Sequence, residues 1–545
     1  MQAQRVFAIG LDGLEGTFAD RLMAAGEMPA LAELRKRSAC FRLDHGAAQR
    51  TGLGWEHFAS GLSPEAAQRW AAIEFDPATY RTWQEGARFV PWWAALDRRV
   101  VVYDTPYVDF RRAPATKGII GWGAHDPGTA AAGRPQGILA EFVGRFGRYP
   151  SEWTYKTPWP SAAQARTMGE VLSGAVETRT RAARWLATER LPEWDLFIVV
   201  TGEAHGSVEG LWHGVDRGHP LHRHPSAQPA GRALLDVHRA LDRMIRELMQ
   251  SAGDAAIVAF TMGGMGANHS DVPSMVLLPE LLYRHAFGRP LLTVPSKWME
   301  SPGQVPILDE DDDWVALGRT WVPQHSHARQ GNLEQAVRSV VKGRPRLRAG
   351  LNEIRAAVRS FLAGSAPIKL SLDWQPAQHY QDYWPQMHAF ALPSYYDGSI
   401  RINVRGRERD GVVEASQYDG VCDDITMLLH ECRNPLTGEP VVAFIERPAI
   451  RDPMRIGGSQ GDLLVVWRGV ATAFEHPRLG LIGPVPLRRT GGHTGRHGMA
   501  YITTPGVTVG DLGVRSSFDV APTMVELLGC PPIASMSGTS LLKPR

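Results

Sequence analysis

The chain has 545 residues, 43% hydrophobic and 21% charged, a balance that excludes wholesale disorder and allows a sizeable buried core. Its 59 Lys and Arg against 57 Asp and Glu leave a formal net charge of +2, which argues against a role coating a nucleic-acid polymer. No stretch reaches the roughly 18 apolar residues of a membrane span, so no membrane association is expected and the expected compartment is the cytoplasm.

The first predicted element is the run Val6-Phe7-Ala8-Ile9-Gly10-Leu11, continuously apolar as in a strand buried on both faces of a parallel sheet. Asp12-Gly13 ends it, and a helical pattern with Phe18, Leu22 and Met23 follows, then Leu31 and Leu34 after Pro29. Further strands of the same kind are expected at 99–103, 196–200, 256–260 and 500–503, with helices at 171–189, 233–249 and 521–528. Alternation of apolar strands with amphipathic helices predicts an α/β fold, a doubly wound and mostly parallel sheet with helices on both faces. Such folds bind ligands beyond the carboxyl ends of their strands.

Between about 290 and 400 the composition shifts to Trp, Pro and Arg, with an acidic run at 309–313 read as solvated. Helices are expected within 338–362 and a strand at 399–404, with the central sheet resuming near 462–466. The division expected is a first core part over 1–290, an inserted cap over 291–415 and a second core part over 416–545. Cys40, Cys422, Cys432 and Cys530 lack CxxC spacing, and reduced, buried thiols are expected.

Four features at or near strand ends could carry chemistry. Asp12 could bind a metal or simply form an Asp-Gly turn. Thr51, in Arg50-Thr51-Gly52, could be a nucleophile at a helix start, where free N–H groups suit an anion, or an ordinary cap. His205, Glu209 and His213 fall at i, i+4 and i+8, one face of a helix, and could hold a divalent metal. Glu203 and Asp216 lie in the same span as further metal or substrate groups. His493 and His497 flank a Gly-rich loop, Gly492-His493-Thr494-Gly495.

In chain order these segments resemble the alkaline phosphatase superfamily, within it the type I phosphodiesterase/nucleotide pyrophosphatase group and its bacterial phosphohydrolase relatives. The resemblance rests on Ile9-Gly10-Leu11-Asp12-Gly13, on Thr51 ten residues before Gly61, and on the strand at 195–200. It extends through Gly264-Met265-Gly266, Ile400-Arg401-Ile402-Asn403 with Gly406-Arg407-Glu408 and Gly411-Val412-Val413, then Gly492-His493 and Asp519-Val520-Ala521-Pro522-Thr523. It implies one or two divalent ions, zinc first and manganese second, with Asp12, His205, Glu209 and His493 among the ligands. It also implies a Thr51 nucleophile acting on a small phosphate or sulfate ester. Four of six ligand positions depart from the family pattern: His205 and Glu209, chemically able substitutes, stand where it often has Asp-x-x-x-His, and Met262-Gly263 stands where it carries Asp-His. A rearranged metal site follows, with two alternatives: a cytoplasmic biosynthetic transferase using an alcohol or amine acceptor, and a non-catalytic relative.

Overall fold

The strands expected from the apolar runs are present as Val6–Leu11, Val100–Tyr103, Leu196–Thr201, Ala256–Thr261 and His497–Thr503. The structure, a computed structural model, describes residues 4–123, 127, 130–153, 156–301, 303–323, 368–450 and 452–543. The helices expected within 338–362 lie outside the described residues.

By contacts the chain divides into two units, one of Met1–Trp70, Gly86–Asn268 and Arg489–Arg545, the other of Ala71–Glu85 and His269–Arg488. The sequence reading placed its borders instead at 290/291 and 415/416.

The first unit is built on a nine-stranded sheet. Its spatial order is Gly510–Ser516, Ala39–Asp44, His497–Thr503, Ala256–Thr261, Val6–Leu11, Leu196–Thr201, Val100–Tyr103, Lys117–Ile120 and Ala132–Arg134. Every pairing is parallel except those made by His497–Thr503 and Ala132–Arg134. Side chains alternate across the sheet. Phe7, Ile9, Leu11, Phe197, Val199, Ile257 and Ala259 enter one core with residues of the helices Ala162–Arg184 and Ala227–Ala252. On the opposite face Phe260 packs against Trp55 and Phe58 of the helix Gly54–Ser60. Helices thus cover both faces, which is why the inner strands are apolar at every position. Each fully buried Phe or Ile side chain contributes about 1.5–3 kcal/mol of transfer free energy.

The parallel strands end at one edge of the sheet. Asp12 follows Val6–Leu11, the helix Glu203–Leu211 follows Leu196–Thr201, and Met262 follows Ala256–Thr261. After Ala39–Asp44 comes a 3₁₀ turn, Gly46–Thr51, that carries Thr51 at its end.

The second unit holds a four-stranded antiparallel sheet, Ala389–Leu392, Gly398–Ile402, Leu463–Trp467 and Val442–Glu446, and a three-stranded one, Lys369–Leu370, Arg81–Glu85 and Ile73–Asp76. The central sheet therefore does not resume near 462–466. That apolar run pairs with Gly398–Ile402 and Val442–Glu446 instead. Arg401, fully buried, donates to Glu408 at 2.7 Å and to the Gly457 and Gln460 carbonyls at 2.9 Å. Arg407 forks onto both oxygens of Asp462 at 2.8 Å. This network accounts structurally for the Arg-Ile-Asn and Gly-Arg-Glu segments: every charge is buried with a partner. All four cysteines are free thiols, and Cys530, unlike the others, is half-exposed.

Candidate metal centre

The helix Glu203–Leu211 is buried along its whole length, and His205 and Glu209 share one face at i, i+4. His205 Nε2 lies 3.1 Å from Glu209 Oε1 and 3.0 Å from His493 Nε2. These three residues form the one cluster of at least three potential ligands among the described residues, all donor atoms within 4.8 Å of one another. In a tetrahedral zinc site with bonds of about 2.0–2.1 Å, neighbouring donor atoms stand about 3.3 Å apart. The two spacings at His205 Nε2 sit close to that edge length, so the donor set fits a small divalent ion.

His205 is held from behind as well. Its Nδ1 lies 3.1 Å from Asp12 Oδ2, and its backbone N–H donates to the Asp12 carbonyl at 3.1 Å. A carboxylate on the far nitrogen of a ligating imidazole fixes the ring and its tautomer. Gly13 makes the approach possible: at φ +75°, a Cβ there would stand 2.3 Å from His205 Cα. Burial works against a charged His205 imidazole, but the Glu209 and Asp12 carboxylates outweigh it and hold the group well above the usual histidine range.

His493 comes from the strand Gly491–Gly495, paired antiparallel with Gly264–Ala267. Thr490 N–H donates to the Glu209 carbonyl at 2.8 Å, tying this strand to the helix. Gly491 is required at the crossing, since a Cβ there would meet the Val208 carbonyl at 2.2 Å. Arg489, nine-tenths buried, ion-pairs with Glu209 Oε1. Arg489 was not singled out from the sequence: no fixed spacing links an arginine before a Gly-Gly pair to a glutamate 280 residues away.

Thr51 is buried; its hydroxyl donates to the Ala48 carbonyl at 2.8 Å and accepts from Leu53 N–H at 3.1 Å. Its turn is tied to the His493 strand by Gln49, whose Nε2 donates to the Gly495 carbonyl at 2.7 Å. Met262 and Gly263 border this turn. A Cβ on Gly54 would lie 3.4 Å from Met262 Cβ, and one on Gly263 3.8 Å from the Gln49 side-chain amide carbon.

The remaining sequence candidates stand apart from the cluster. The helix ends at Leu211, so His213 leaves the expected face; it sits in the turn Trp212–Gly214, with Ser226 Oγ at 3.1 Å and Thr490 Oγ1 at 3.3 Å. Burial pushes it down to about 3, which keeps it neutral. Glu203 takes Arg179 on both oxygens at 3.0 Å, deep in a network with Asp104 and Thr201. Asp216 accepts from Gly218 N–H at 2.9 Å and Trp212 Nε1 at 3.2 Å, a turn-forming role. His497 opens the strand His497–Thr503, opposite Asp44.

No family model matches the chain, and no curated protein matches it. Solved structures do. The phosphonoacetate hydrolase of Sinorhizobium meliloti 1021, in complex with phosphonoformate, is 15% identical over 96% of both chains, with a TM-score of 0.48. Human ectonucleotide pyrophosphatase/phosphodiesterase 5 is 11% identical over 98% of this chain and 97% of that one, with a TM-score of 0.46. No helix among the described residues is long and apolar enough to cross a membrane.

Proposed function

We propose that this chain is a metal-dependent enzyme of the alkaline phosphatase superfamily that cleaves or transfers a phosphoryl or sulfuryl group of a small ester, with one metal centre formed by His205, Glu209 and His493. The observation that carries this reading is the convergence of those three donors, with Asp12 fixing the far side of His205. A divalent ion held there, zinc first and manganese second, would supply Lewis-acid polarisation of the substrate's non-bridging oxygen. Asp12 serves as the positioning carboxylate of the imidazole, a different task from the direct ligation that the family resemblance implies.

Thr51 is the nucleophile in this reading. Its hydroxyl gives up the bond to the Ala48 carbonyl, forms the Oγ–P or Oγ–S bond, and releases its proton as the ester oxygen departs as an alcohol. Water, or an acceptor alcohol or amine, then displaces Thr51 from the covalent intermediate. Gln49 holds the turn against the His493 strand, so position does much of the catalytic work. A second reading, binding without turnover, is favoured by Met262 and Gly263, which offer no ligand beside the Thr51 turn.

Elemental analysis of protein purified without chelator, joined to hydrolysis of aryl phosphate and sulfate esters, separates the two. About one zinc or manganese per chain is expected, with turnover that Thr51→Ala abolishes while metal content stays. Metal without turnover across mono- and diesters favours binding alone. No metal, and no uptake when zinc or manganese is added, refutes the metal centre.

A further inference from the structure

Glu209 presents one oxygen, Oε1, to two partners at once: His205 Nε2 at 3.1 Å and the Arg489 guanidinium. Both residues are more than nine-tenths buried, so this ion pair is little screened by solvent. A carboxylate oxygen offers two lone-pair directions, and a guanidinium donates but never accepts and never loses its charge. An ion bound by the cluster through Oε1 would share that oxygen with a fixed positive charge, and through Oε2 would still share the carboxylate with it. Resting on the single-metal reading above, we propose that Arg489 is a built-in counter-cation of the cluster: it competes with the divalent ion for Glu209 and sets how tightly that ion is held.

The inference differs in sign from ordinary support. A partner that merely orients a ligand weakens metal binding about 10- to 100-fold when it is removed. A competing cation does the reverse. Its other consequence concerns the protein without metal: Arg489 neutralises a buried carboxylate, so its loss must destabilise that form most.

The test is isothermal calorimetry with zinc and with manganese on the full chain, after chelator treatment, for wild type, Arg489→Gln and Arg489→Lys, with thermal unfolding of each protein in chelator and in excess metal. Arg489→Gln is expected to bind either ion about tenfold or more tightly, a charge effect set against the 10- to 100-fold scale of such outer partners. Its melting temperature should fall in chelator and recover in metal. Arg489→Lys, which keeps the charge, should bind like wild type. Weaker or unchanged binding by Arg489→Gln, or equal loss of melting temperature with and without metal, overturns the proposal. Failure of wild type and both variants to bind either ion overturns the metal centre itself, a separate outcome from a wild type that binds and a variant that binds no better.

Discussion

Asp12→Asn separates a carboxylate that positions His205 from one that ligates the metal directly. The substitution keeps the size of the side chain and one oxygen able to accept from His205 Nδ1, and removes only the charge. The backbone bond from His205 N–H to the Asp12 carbonyl, 3.1 Å, does not involve the side chain, so the helix Glu203–Leu211 stays where it is. What is lost is the charge assistance to the 3.1 Å contact at Nδ1, and with it part of the basicity of Nε2. Outer carboxylates of this kind are worth about 10- to 100-fold in metal affinity, or about 1.4–2.8 kcal/mol at 1.4 kcal/mol per factor of ten. The assay is competition against a chromogenic chelator, followed by turnover measured across a metal titration. Affinity should fall within that range, and turnover should return towards wild type once metal is saturating. Binding abolished at every concentration would make Asp12 a ligand, and an unchanged affinity would leave it without influence on the site; either result refutes the reasoning.

Two further outcomes concern stability. Arg179 is fully buried between Asp104, at 2.8 Å, and Glu203, at 2.9 Å. Arg179→Met strands two buried carboxylates and should cost about 3–5 kcal/mol in urea unfolding; a loss under about 1 kcal/mol would show that the network carries no stability. His238 is buried in the helix Ala227–Ala252 with its ring edge-on to Phe18, and burial pushes it down to about 4. The unfolded chain takes up a proton near 6.5 and the folded one does not. The contribution of His238 is therefore complete above pH 6.5 and is lost as pH falls from 6.5 towards 4, by about 2 kcal/mol at pH 5. His238→Phe should flatten the fall in stability between pH 6.5 and 5 by about that amount; an unaltered slope in pH-dependent unfolding would refute the assignment.

Much of the first unit is legible because its signals are local. A strand covered on both faces must be apolar at every position, and Val6–Leu11, Leu196–Thr201 and Ala256–Thr261 are buried throughout. The pairing of His205 with Glu209 is equally local, since i, i+4 spacing on a helix brings the side chains together whatever surrounds it. The second unit misleads for a physical reason. Leu463–Trp467 is a continuous apolar run, yet only its alternate residues are fully buried, because it lies in an antiparallel sheet whose other face is part-exposed there. His213 was expected on the His205 face because periodicity carries no sign of the helix end. Just past that end, which lies at Leu211, Gly214 meets Gly231 so closely that a Cβ on Gly214 would stand 2.1 Å from Gly231 N. Arg489 and the partners of Glu203 depend on contacts between distant segments, which no local pattern records.

The carboxyl ends of the strands carry two groups of side chains. Towards Leu196–Thr201 they carry Asp12, His205, Glu209, Arg489 and His493, a dense set of charges and imidazoles. Towards Ala39–Asp44 they carry His45, whose Nε2 lies 2.9 Å from His57 Nδ1, with Arg50 and Thr51, and Met262 packs at the start of the following helix. Met262 is buried, and a thioether neither stabilises an alkoxide nor accepts a proton. Apolar burial disfavours ionisation of a hydroxyl, so the Met262 thioether would not help a Thr51 hydroxyl to react. Gln49 holds the turn bearing Thr51 to the strand bearing His493. On the proposed reading, the departure at Met262 and Gly263 removes a metal position and keeps the tie that places Thr51. In the proposed function, a single ion at His205, Glu209 and His493, with Arg489 competing for Glu209, gives each of these residues a task.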